Sequence, residues 1–259
     1  MRWSDAALLA GTLALSGGAA AAVASCDGKV VAALGQQLGI KPLQGAGGKR
    51  HIAAQACKDW PARPGLHLAA LAYDTGESEQ KSLVVAVVDK KTLHVVASDE
   101  TIVTEDSAVE FGPDSLTLDT AAYRLSPDVV AFGLRFTSAA HGASCADYAW
   151  EDELTLFAPS GKDLHTVLHL PMHRMRVLKG CLGSYSPDGI YEDAVLTIGV
   201  GQSASHGYAD LSLRAAIKTE KAEGDSRKPP RVEQQVIRYD GTRYQLGKRP
   251  AWWMEPLGE

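Results

Sequence analysis

Several signatures that would announce a function are missing from this chain. There is no basic excess: 26 Lys and Arg stand against 31 Asp and Glu, a formal charge of −5. That excludes the basic stripes of a phosphate-backbone binder and a polybasic membrane-surface protein. None of the four cysteines, Cys26, Cys57, Cys145 and Cys181, sits in a C-x-x-C pair, so neither a redox motif nor a zinc ribbon is supported. The G-x-S-x-G of a nucleophile elbow is absent. From Leu66 onward no long helical apolar period occurs. What remains, 259 residues with 45% hydrophobic and 22% charged side chains, suits an ordinary globular protein of one or two domains.

The N-terminus carries the clearest signal. "MRWSDAALLAGTLALSGGAAAAVASC" has a basic residue at Arg2, an apolar run from Ala6 to Leu15 and a small-residue stretch ending Ala22-Val23-Ala24. That is the layout of a secretory signal with an A-x-A cleavage site, although Asp5 offsets Arg2. A membrane anchor over Ala6–Ala24 is the competing reading, and the run spans a bilayer only marginally. "VASC", Val23 to Cys26, also resembles a bacterial lipobox, which implies a lipidated Cys26 and membrane retention. Cysteine arithmetic favours plain cleavage after Ala24, because four thiols pair evenly in an oxidising compartment and three do not. Sequence proximity selects Cys26–Cys57 and Cys145–Cys181 among the three connectivities. Each would close a loop of roughly thirty residues, worth about 3–4 kcal/mol in the chain-entropy model.

After a signal peptide at 1–24, residues 25–64 read as a short helix and a disulfide-tied connector. In "CDGKVVAALGQQLGI", Asp27 can cap a helix whose Val30, Ala33, Leu34 and Leu38 share one face. Residues 65–259 read as an all-β domain. Short strand-like runs, among them "LHLAALAY", "SLVVAVVD", "VVAFGLRF" and "ADLSLRA", alternate with Gly, Pro, Asp and Ser clusters. Leu116-Thr117-Leu118-Asp119 matches Leu196-Thr197-Ile198-Gly199 at an offset of 80. The hairpin "LTLFAPSGKDLHTVL" is answered by "QVIRYDGTRYQL", and "LVVAVVDKKTLHVV" has the same form earlier. The count is about three units of four strands, which predicts a propeller-like or partial-propeller array. "GYADLSLRA" with "RYDGTRYQLG" resembles the degenerate repeats of secreted bacterial proteins related to the FG-GAP and VCBS propeller families. The calcium loop of those families has no match here, so the resemblance brings no calcium with it. The longest insertions, "TSAAHGASCADYAWED" and "IKTEKAEGDSRKPPR", fall at equivalent places on this plan, where binding loops are commonly built.

"LHTVLHLPMHRMRV" places His165, His169 and His173 four residues apart. On a helix they would stack, but Pro171 would break the ladder. The alternation reads instead as a strand, where neighbouring histidines lie about 13 Å apart. No one zinc ion reaches that far, so a polar strand face is expected. "LTIGVGQSASHG" superficially matches a dinucleotide loop, yet a strand rather than a helix follows it. Ser203, Ser205 and His206 leave a Ser–His pair geometrically open. "SYSPDGIYED" gathers Asp188, Glu192 and Asp193, whose spacing fits no known calcium loop, and Tyr185 and Tyr191, which suit recognition.

The expected binding residues are therefore Tyr185, Asp188 and Tyr191 in that loop. Trp60 reads as an anchor packed beside a disulfide, with sugar stacking as the sharper alternative, and Trp252-Trp253 as aromatics that dock back on the body or form a patch for a partner; with Trp150 these are the candidate aromatic platforms. No catalytic residue, metal or cofactor is expected. The sequence reads as a secreted or periplasmic protein that recognises an envelope or secreted protein, such as an inhibitor or immunity protein against an envelope hydrolase. A glycan- or peptidoglycan-binding module and a hydrolase with a loop-assembled site are the alternatives. Nucleic acid is not expected as a partner, and the membrane only if Cys26 is lipidated.

Overall fold

A computed structural model describes residues 25–40, 51–146, 148–182, 188–221 and 229–246, with the side chains of 147, 148 and 150 outside the description. The expected signal peptide, 1–24, also lies outside the described residues.

The helix forms as its sequence dictates. In α1 (Gly28–Gln37) the Asp27 carboxylate accepts from the Lys29 amide at 2.7 Å, satisfying a backbone donor that the first turn leaves free. Gly39, at φ +69°, turns the chain away beyond it. Val30 and Leu34 are buried against Cys57, Ala69, Leu71, Ala86 and Val88. The disulfide Cys26–Cys57 staples the helix start to the sheet, and Cys145–Cys181 is the second bridge. Both pairings are the expected ones.

Twelve strands follow: β1 (Ile52–Asp59), β2 (Leu66–Asp74), β3 (Gln80–Asp89), β4 (Val95–Thr104), β5 (Leu116–Arg124), β6 (Val130–Phe136), β7 (Tyr148–Ser160), β8 (Asp163–Lys179), β9 (Ile190–Ser205), β10 (Tyr208–Lys221), β11 (Arg231–Tyr239) and β12 (Tyr244–Gln245). The all-β reading is correct. Every chain-adjacent pair except β4 and β5 is an antiparallel neighbour. The meander β1–β4 joins the rest through one parallel link, Ser98 to Asp163, where the Ser98 amide donates to the Lys162 carbonyl at 3.0 Å.

Two cores result. On β2 and β3, Leu68, Ala70, Ala72, Val85 and Val87 pack toward Leu116, Leu118, Val130, Phe132 and Leu134 of β5 and β6. The alternate residues Ala69, Leu71, Ala86 and Val88 pack against α1. Burial on both faces is why these strands read as unbroken apolar runs. The second core lies inside the curve of β7–β11, where Leu154, Leu156, Leu170, Met172, Leu196, Leu213 and Ile237 meet.

The pairing does not confirm a propeller-like array. Twelve strands do make three successive fours, and the matched strings fall on β5 and β9, β6 and β10, and the hairpins β7–β8 and β11–β12. However, β8 and β9 pair from His173 with Val195 to Lys179 with Ile190. The second and third fours are thereby one continuous ladder, not separate blades. The stretch read as a connector also contains a strand, β1, paired along its length with β2.

Packing makes a sharp demand at Gly133. A Cβ there would lie 2.6 Å from Leu154 Cδ1 and 3.0 Å from Asp119 Cβ, and Leu154 is fully buried. Gly133→Ala is expected to cost about 1–3 kcal/mol by overpacking, read as a lower urea midpoint with an unchanged slope.

Candidate functional site

Strand β8 organises the site by its period of two. Leu168, Leu170, Met172 and Arg174 point inward and are buried, while His169, Pro171, His173 and Met175 alternate with them on the outer face. The polar strand face expected for the histidines is present for His169 and His173; a bulge at Val167 and Leu168 puts His165, itself exposed, out of phase with them. Pro171 faces Glu153 of β7 before the pairing with β9 begins at His173. Among the described residues β8 has one ladder partner at that point, an edge-like position that tolerates a missing N–H.

The outer-face histidines meet carboxylates. His173 Nε2 lies 2.6 Å from Asp193 Oδ1, and its Nδ1 lies 3.3 Å from Glu151 Oε2. His169 Nε2 lies 3.1 Å from Glu153 Oε2, and its Nδ1 lies 2.9 Å from Thr155 Oγ1. Among the described residues no group of three His, Cys, Asp or Glu side chains has metal-site geometry.

Beside this row opens a cleft of about 620 Å³. Ala149, Glu151, Glu153 and Met175 lie along its β7–β8 side, and Phe136 and Leu182 add apolar surface. Ser107, Ala108 and Val109 form one wall, and Thr137, Ser138 and Ala140 to Ala143 contribute the other. Both walls are held by specific bonds. Asp106 Oδ1 accepts from the amides of Ala108 and Val109, and Glu105 Oε1 accepts from the Phe111 amide at 2.7 Å. Lys81 holds the other Glu105 oxygen at 2.6 Å. The walls are tied together where the Ser138 hydroxyl accepts from the Glu110 amide and the Ala139 amide donates to the Glu110 carbonyl. At the far rim Cys145–Cys181 and the bridge between Ala146 and Leu182 fix the long insertion. The arrangement is a trough lined by apolar and polar side chains together, with Glu151 and Glu153, each beside a β8 histidine, on one side. A smaller pocket of about 220 Å³ lies elsewhere, beside Trp60, Arg63 and Val130, below the usual size of a ligand site.

The expected site residues fare unequally. Tyr185, Trp252 and Trp253 lie outside the described residues, as does the side chain of Trp150, whose backbone pairs with Arg174. Asp188 is exposed. Tyr191 donates to Glu220 Oε2 at 3.1 Å; partial burial and that carboxylate raise its pKa. Trp60 is corrected as a sugar platform: it is only 2% exposed and packs edge-on against Phe132, with ring centroids 5.3 Å apart. It fills the core between the sheets instead of lying against the disulfide, because its neighbours are those of the β2–β6 cluster.

Other sequence motifs resolve as architecture. Gly199 and Gly201 lie inside β9, where an added Cβ would meet Ser212 Oγ at 2.9 Å and the Asp210 carbonyl at 2.8 Å. They serve close strand approach, not a phosphate loop. Ser203 donates to Asp210 and His206 Nδ1 lies 2.9 Å from the Tyr239 carbonyl, so each has a structural partner of its own. Glu192 and Asp193 occupy opposite faces of β9. Asp193 goes to His173, and Glu192 is held by Arg176 Nη2 at 2.7 Å and Arg231 Nη1 at 2.6 Å. They do not pool with Asp188 around one ion. Glu151, Glu153 and Met175 were not singled out by sequence reading; the one signal was the Cys145 insertion, which includes Glu151.

The Glu192 cluster predicts an acid sensitivity. Burial alone would raise the Glu192 pKa, but hydrogen bonding and charge from Arg231 and Arg176 outweigh it and hold the carboxyl below its free value of 4.5. A pKa lower in the folded than in the unfolded state stabilises the fold above the free value. The contribution is lost as pH falls through the folded pKa. Acid unfolding of Glu192→Gln is therefore expected to show a shallower loss of stability below pH 4.5 than the parent chain, followed by circular dichroism.

No protein-family model, curated protein or solved structure matches this chain.

Proposed function

We propose that this is a secreted or periplasmic binding protein that recognises another protein by taking an extended segment of it into the cleft. The carrying observation is the trough of about 620 Å³ with internally bonded walls, a lining of apolar and polar side chains together, and Glu151 and Glu153 on one side. Two disulfides and the absence of free cysteines among the described residues fit an oxidising compartment, and a signal peptide at 1–24 would deliver the chain there. A partly apolar trough flanked by Glu151 and Glu153 suits a segment with an apolar side chain followed by Lys or Arg. Of the residues singled out for recognition in "SYSPDGIYED", the described Asp188 and Tyr191 lie just before and at the start of β9. An inhibitor or immunity protein against an envelope hydrolase is the concrete form of this reading.

Binding is preferred to catalysis because the catalytic motifs weighed in the sequence find other uses here: Gly199 and Gly201 lie inside β9, and Ser203 donates to Asp210. A glycan platform loses Trp60 to the core.

The test is comparative capture from a soluble envelope extract. The chain from Ser25 onward should retain one stoichiometric partner, and Met175→Arg, which fills the trough, should release it. Glu151→Lys with Glu153→Lys should weaken it further at low salt than at high salt. A partner indifferent to both variants would place recognition elsewhere, and an empty parent column would remove protein recognition as the function.

A further inference from the structure

The open side of β11 is a feature independent of the cleft. Among the described residues β11 pairs with β10 on one side and on the other only with β12, at Arg238 and Tyr239. The Asp240 amide donates to the Arg243 carbonyl, so Asp240 faces the β12 side. Because backbone direction alternates along a strand, Arg238, Val236, Gln234 and Val232 face that side too. Beyond Arg238 the N–H and C=O groups of Val232, Gln234 and Val236 therefore point away from β10 with no described strand opposite. Proline at 229 and 230 ends this stretch on one side and β12 ends it on the other. An open edge of this kind is a template for strand addition.

Its side chains specify the occupant. "RVEQQVI", Arg231 to Ile237, is nearly symmetric about Gln234: valine stands two residues to each side, and Glu233 and Gln235 stand one residue to each side. Val232 and Val236 are 53% and 52% exposed on the outer face. On the inner side the Gln235 amide nitrogen is buried without a hydrogen-bond partner, an unsatisfied donor that costs stability.

We propose that the protein forms an isologous dimer in which β11 pairs antiparallel with β11 of a second copy, the two-fold axis passing beside Gln234. That register sets Gln234 against its own equivalent and Val232 against Val236 of the partner subunit. Those residues carry the outward backbone groups, so each N–H meets a C=O. The same register brings the valines of the two copies together on the outer face. It also sets Gln235 directly opposite Glu233 of the partner subunit, close enough for the orphan amide to donate to a carboxylate. One two-fold operation satisfies the backbone edge, the exposed valines and the unpaired amide together. The cleft opens on the same outer face as Val232, so the dimer presents two clefts on one side of a continuous sheet.

Analytical ultracentrifugation of the chain from Ser25 onward tests this. The parent is expected to sediment at twice the chain mass, dissociating on dilution. Gln234→Pro removes the central outward N–H without breaking a bond to β10, and should sediment as a monomer with an unchanged circular dichroism spectrum. Val232→Lys with Val236→Lys, both at exposed positions, should do the same and decides the matter if the proline variant fails to fold. A parent that remains monomeric at high concentration would overturn the proposal, its own residues 247–259 then being the alternative occupant of the edge. A dimer that survives both variants would overturn it equally.

Discussion

Seventeen consecutive residues of strand, Asp163–Lys179, set the terms for the rest of the molecule. A strand of that length alternates its faces, here interrupted once by a bulge at Val167 and Leu168 that sends both side chains into the core. Its inner side, from Val167 to Met172, contributes to the second core, and its outer side must then carry His169, Pro171, His173 and Met175 in line. The neighbours inherit the same alternation through the ladder, so Glu151 and Glu153 of β7 and Asp193 of β9 emerge beside the histidines. At its start β8 also accepts the one parallel link from the β1–β4 meander. Core, polar face and the junction of the two meanders thus depend on the register of one strand.

The cleft follows from adding walls to that face. The outer surface of β7 and β8 is open until two excursions cover it: the 105–111 turn, anchored by Glu105 and Asp106, and the insertion after Phe136, anchored by the second disulfide. Packing of Phe111 against Phe136, with centroids 4.9 Å apart, joins the roots of the two. Gly112 permits the close approach, since a Cβ there would lie 2.9 Å from Ala139 Cβ. In the proposed reading, recognition would use a sheet with short, internally bonded walls, an arrangement that limits the entropy lost when a partner is ordered against it.

Local patterns revealed much of the fold and little of the site. Asp27 before an apolar period marked α1, the even cysteine count pointed to both bridges, and Pro171 with period-two alternation identified β8. β1 escaped because "IAAQACKD" is built of Ala, Cys and polar residues, whose alternation is weak until Ala54 and Ala56 are seen facing the core. Matching of short strings suggested blades, since they report strand identity but not which edges pair. The pairing of β8 with β9 is a long-range choice that no local string encodes. Trp60 was misassigned for a related reason: an aromatic beside a cysteine looks the same in sequence whether it faces solvent or the space between two sheets. The cleft joins residues as far apart in sequence as Ser107 and Leu182, so only the disulfide-bearing insertion hinted at it.

The central claim is that binding uses the outer face of β7 and β8 together with its two walls. Amide hydrogen exchange of the chain with and without its captured partner tests this most directly. The account predicts added protection confined to residues 105–111, 137–146, 149–153 and 173–182, with the α1 side of the β1–β4 meander unchanged. Protection concentrated on α1 and β1–β3, with the cleft segments exchanging as in the free chain, would contradict it.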